Sequence, residues 1–121
     1  MKYLIMFSVL VFFSCNLQTT DCAIFKKGNY KFANPELEDW ILTRSDTRQI
    51  EKNIKTGEAI TSSIYWLSDC KYTLTFIDVS SSNKEILGKK MEVEILNTTT
   101  NSCEILVPFG EETIKLKLIK L

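Results

Sequence analysis

The sequence predicts an all-β domain, a small antiparallel up-and-down barrel of about eight strands, on three observations. Apolar and polar residues alternate with period two almost to the C-terminus, turn residues break the alternation at short intervals, and helical periodicity is nearly absent. Each run then has one dry and one wet face, as in an antiparallel sheet. Closing such a sheet on itself removes its exposed edges. A two-sheet β-sandwich satisfies the same pattern and stands as the alternative.

The chain begins MKYLIMFSVLVFFSC, with one cation at Lys2, an apolar run from Tyr3 to Phe13, and the small Ser14 before Cys15. These are the n-region, h-region and small residue of an export signal. A run of about eleven residues is short for a spanning helix, which needs about twenty. Residues 1–14 therefore read as a cleaved lipoprotein signal peptide. In bacteria a cysteine at such a junction receives diacylglycerol and becomes the first residue, although Phe12 stands where the usual lipobox has Leu. One acyl chain such as palmitate binds a membrane only marginally, so stable anchoring needs the several chains of a bacterial lipoprotein. Residues 15–21 form the lipidated tether, whose polar segment Asn16 to Asp21 reaches about 20 Å at full extension. Asn16, where Asp would favour inner-membrane retention, points to a lipid-anchored place in the cell envelope at the outer membrane. Its periplasmic and exterior faces are both open to the protein.

Residues 22–121 make a single domain. Lys+Arg 15 balances Asp+Glu 15, and no basic stripe offers the electrostatic footprint of nucleic-acid binding. With Cys15 acylated, Cys22, Cys70 and Cys103 remain, an odd number for an oxidising compartment. One disulfide and one leftover thiol follow. With His 0 and no CxxC there are too few ligands for an ordinary zinc site.

In order, the strands read 24–33, 40–45, 48–54, 59–68, 71–79, 88–96, 102–109 and 112–121. The first ends at Asn34-Pro35, and Pro35 to Trp40 holds the one expected helical turn, since Pro-Glu-Leu-Glu-Asp resembles a helix start. Ser45-Asp46, Thr56-Gly57 and Ser68-Asp69 separate the next four runs. In 71–79, Tyr72, Leu74 and Phe76 oppose Lys71, Thr73 and Thr75; in 88–96, Met91, Val93 and Ile95 oppose Lys90, Glu92 and Glu94. Cys103, Ile105, Val107 and Phe109 share one face of 102–109, and Ile114, Leu116 and Leu118 share one face of 112–121. Cys103 thus reads as a small hydrophobe on a dry face.

The segments Cys22-Ala-Ile-Phe-Lys-Lys-Gly-Asn-Tyr, Arg44 with Gln49-Ile-Glu51, and Trp66-Leu-Ser-Asp-Cys70-Lys-Tyr72-Thr-Leu74 resemble a group of small Bacteroidetes lipoproteins, over about Cys22 to Ile95. The resemblance implies a lipocalin-like barrel and a disulfide between Cys22 and Cys70, and no established activity. Some members carry the name of a DNA topoisomerase IV subunit, from which this chain departs in its export signal and in lacking ATPase and DNA-cleavage segments.

Without His, neither a Ser-His-Asp nor a Cys-His arrangement is available. The pairs Glu36/Glu38, Glu92/Glu94 and Glu111/Glu112 read as solvated surface, and no Gly-rich phosphate loop is present. No catalytic residue, metal or cofactor is expected, and the chain does not read as an enzyme. Arg44, Gln49, Glu51, Trp66 and Tyr72 are the candidate ligand-binding residues, because small-molecule sites combine aromatics with a few placed polar groups. Arg44 is the expected charged contact, for an anionic head group. The plainer alternative makes Trp66 and Tyr72 core residues with satisfied polar tips and Arg44 with Glu51 a cross-strand ion pair, in a barrel filled by its own side chains. The expected function is a lipid-anchored binding or structural module carrying a small apolar ligand. A protein-interaction or envelope-assembly module is the alternative, and an inhibitor or hydrolase comes after it.

Overall fold

The computed structural model describes residues 21–80 and 82–121. The expected signal peptide, the lipidation site Cys15 and the tether as far as Thr20 lie outside the described residues. The strands are β1 Gly28–Phe32, β2 Trp40–Arg44, β3 Arg48–Asn53, β4 Ala59–Ser68, β5 Lys71–Val79, β6 Lys90–Leu96, β7 Ser102–Phe109 and β8 Glu112–Lys120. Every sequential pair is antiparallel, and β8 returns to β1 through Tyr30↔Lys120, Lys31↔Ile119 and Phe32↔Leu118. The sheet is a closed eight-stranded up-and-down barrel, and the sandwich alternative is set aside.

The structure departs from the expected elements in three places. The first strand begins at Gly28 and not at residue 24, because Cys22–Phe25 forms a 3-10 helix. In that helix residues three apart eclipse one another, and Cys22 and Phe25, at this spacing, are both fully buried. A second 3-10 turn, Pro35–Leu37, lies within the segment expected to turn, and a third, Lys84–Ile86, was not foreseen. Finally, the β4–β5 register jumps from Ser62↔Phe76 to Thr61↔Asp78, leaving Ile77 as an extra residue. The bulge reverses the alternation: Tyr72 and Leu74 are buried as expected, yet beyond Ile77 it is Val79 that turns inward while Asp78 is exposed.

The meander gives the barrel two unlike ends. At one lie the β2–β3, β4–β5 and β6–β7 turns together with the 3-10 helix Cys22–Phe25, which plugs it. The Cys22–Cys70 disulfide, with Cα atoms 5.1 Å apart, ties that plug to the β4–β5 turn. Lys26 adds an ion pair with Asp69 at 2.7 Å, and Lys120 donates to the Ile24 carbonyl at 3.2 Å. The other end carries the 35–37 turn, the β3–β4 and β5–β6 connections and the Gly110-Glu111 hairpin loop, where Gly110 takes a φ of 62° that favours glycine. Phe25, Tyr30, Tyr72, Ile95, Cys103 and Leu118 fill the plugged half, each at most 2% exposed.

Candidate functional site

Arg44 is the last residue of β2, in step with Leu42, so it points into the barrel, where it is only 3% exposed. A buried guanidinium is tolerated only when its donors are used. Nε donates to Gln49 Oε1 at 2.9 Å, Nη1 to the Phe25 carbonyl at 3.0 Å, and Nη2 to the Tyr72 hydroxyl. Its charge also faces two rings, Tyr72 at 4.6 Å and Tyr30 at 5.6 Å from their centroids. The Tyr30 hydroxyl in turn donates to the Lys27 carbonyl at 2.6 Å. Arg44 thus joins the plug, β3 and β5 in one network.

Gln49, across the ladder from Arg44, carries the network upward. Its Nε2 donates to Glu51 Oε1 at 3.0 Å. The amide stands between guanidinium and carboxyl, so the two opposite charges are linked through Gln49 and form no direct ion pair. Burial pushes the Glu51 carboxyl above its ordinary range, with Arg44 and the Gln49 hydrogen bond opposing. Burial likewise pushes the Tyr72 hydroxyl up to about 12 and the Cys103 thiol up to about 11, Arg44 pulling against both. Tyr72 is therefore a neutral acceptor for Arg44.

Above this floor the barrel is not filled. A cavity of about 310 Å³ lies between the network and the open end. Phe32, Trp40, Ile60, Leu74, Met91, Ile105, Val107, Ile114 and Leu116 of the strands line it together with Leu37 of the 35–37 turn. Tyr72 and Glu51, both members of the network, meet it as well, with Val93 opposite Tyr72 in the ladder. The wall is apolar except at Glu51, which is half-buried and borders the cavity, and at the Tyr72 hydroxyl.

Of the five candidate residues, Arg44, Gln49, Glu51 and Tyr72 share one hydrogen-bonded network, and Glu51 and Tyr72 line the cavity. Arg44 and Gln49 lie beneath it and do not line it, so an anionic head group in the cavity would not meet the guanidinium directly. Trp66 packs tilted against Tyr72, with ring centroids 4.8 Å apart, and lies under Lys26 at 5.3 Å, outside the cavity. Trp40 lines the cavity and was not singled out. Its signal was its place as first residue of an inward-alternating run, Trp40, Leu42, Arg44. All six members of the three glutamate pairs are exposed. Cys103 is a free, buried thiol. Comparison with protein-family models, with curated proteins and with solved structures yields no match.

Proposed function

We propose that the chain is a lipid-anchored binding protein of the cell envelope that carries a small, mostly apolar molecule and performs no catalysis. The cavity is the observation that carries this reading. Protein interiors pack with few voids larger than a water molecule, whereas this barrel is filled in its plugged half and leaves about 310 Å³ under its mouth. That volume lies at the small end of the range for ligand sites, and its apolar lining is what such sites use. Among its lining residues Glu51 is the one carboxyl and Tyr72 the one hydroxyl, already accepting from Arg44. Paired-carboxylate chemistry has no second member there. The disulfide fits an oxidising compartment, as does an export signal over residues 1–14.

Trp40 supplies the test, because it touches the cavity while Trp66 does not. In a Trp66→Phe variant, Trp40 emission should shift on titration with ethylbenzene or a comparable small aromatic. Filling the cavity from within by Val93→Phe should abolish the shift. An unchanged spectrum for the parent, with its strands intact by circular dichroism, rejects the reading.

A further inference from the structure

We propose that the ligand of this cavity is a compact apolar amine, whose nitrogen donates to Glu51 Oε2 while its hydrocarbon body occupies the space beneath the mouth. The inference rests on the binding reading above and adds the chemical class. Glu51 Oε1 accepts from Gln49 Nε2, and no described residue donates to Oε2. No side-chain oxygen or nitrogen of the described residues is both covered and without a partner. Oε2 is therefore not fully covered, and the residue that carries it lines the cavity.

A carboxyl in apolar surroundings needs donors or a cation to offset its lost hydration. The nearby cation does not serve directly: the Gln49 amide stands between Arg44 and the carboxyl, and the guanidinium donates to Gln49, Phe25 and Tyr72. An amine nitrogen brings both the missing donor and the missing charge. A carboxylate or phosphate head would instead meet Glu51. Size narrows the class further: a dry cavity of about 150 Å³ holds benzene, so about 310 Å³ holds roughly a dozen non-hydrogen atoms and no long acyl chain.

One series of probes with a shared body separates the alternatives: phenethylamine, phenethyl alcohol, phenylpropionate and ethylbenzene, titrated into the mature chain by calorimetry. The amine should bind on the order of tenfold or more tighter than ethylbenzene, as a charge-assisted hydrogen bond would give, and phenylpropionate should bind weakest. In Glu51→Gln the advantage of the amine over ethylbenzene should vanish while ethylbenzene binding persists. Ethylbenzene binding as tightly as the amine, or phenylpropionate binding tightest, overturns the amine assignment and leaves the apolar carrier standing. Failure of all four overturns both.

Discussion

At the scale of single residues, the polar network is the part of the site most legible in the sequence. Arg44 sits two positions after Leu42, and Gln49 and Glu51 alternate on the next strand, so the face they share could be read from parity alone. What parity does not give is height along the barrel axis, and height separates Arg44, under the floor, from Glu51, which touches the cavity. Replacing Arg44 by Ala would strand the Phe25 carbonyl, Gln49 Oε1 and the Tyr72 hydroxyl and leave Glu51 uncompensated. The expected loss is about 3–5 kcal/mol of stability in urea denaturation, where a surface ion pair would cost about 1 kcal/mol or less. A loss in the latter range would contradict the buried network.

Glu51 makes a prediction of opposite sign. Its folded-state pKa is raised above its ordinary 4.5, so between that value and the higher one the folded protein keeps a proton that the unfolded chain has released. Stability contributed by this group is fully present below about pH 4.5 and is lost as pH rises through the folded value. Glu51→Gln keeps the acceptor for Gln49 Nε2 and removes the titration. The difference in unfolding free energy between variant and parent should therefore move in the variant's favour as pH rises from about 4.5 toward neutrality, and a flat difference would count against a buried carboxyl.

At the scale of elements, the expected boundaries match wherever alternation is the only influence on the chain. They fail where a tertiary constraint acts. Cys22-Ala-Ile-Phe contains apolar residues and runs into Gly28, so it reads as the start of a strand. The disulfide and the barrel end that the segment plugs instead draw Cys22 and Phe25 to one side, as a turn three residues long allows. The Ile77 bulge was equally hidden, since nothing in Thr75-Phe76-Ile77-Asp78 marks which residue is the extra one. The plug's contribution is open to measurement. Reducing the chain, or replacing Cys22 and Cys70 with Ser, frees a separation of 48 residues and should cost about 4 kcal/mol before any native strain. Phe25→Ala, which empties the centre of the plug, should cost about 3–5 kcal/mol. Cys103 is buried and its thiol pushed up to about 11, so iodoacetamide at neutral pH should modify it only in unfolded protein.

At the scale of the whole molecule, the ends of the barrel and the path of the chain combine into an orientation. The polypeptide enters at Asp21, immediately before the plug, and the cavity opens at the opposite end. Strands of nine or ten residues such as β4 and β5, rising about 3.3 Å per residue and tilted about 40°, separate the two ends by roughly 25 Å. If Cys15 carries the lipid as proposed, a tether of at most about 20 Å would turn the plugged end to the membrane and the mouth away from it. Ligand exchange would then take place with the aqueous compartment and not with the host bilayer. Cysteine accounting makes this measurable, because an acylated Cys15, a paired Cys22–Cys70 and a buried Cys103 leave no competing reactive thiol. A fluorophore is attached through Asp46→Cys, in the β2–β3 turn at the plugged end, or through Glu111→Cys, at the mouth hairpin. Both native residues are exposed, and the Lys27–Asp46 ion pair lost in the first is a surface pair of small worth. On full-length lipoprotein reconstituted into vesicles with head-group nitroxide quenchers, the label at position 46 should be strongly quenched and the label at 111 scarcely. The same labelled chains beginning at residue 15 with Cys15→Ala, and so without the signal peptide, should stay in solution with neither label quenched. Equal quenching at both positions would discard the orientation, and vesicle binding that survives Cys15→Ala would discard the lipid anchor.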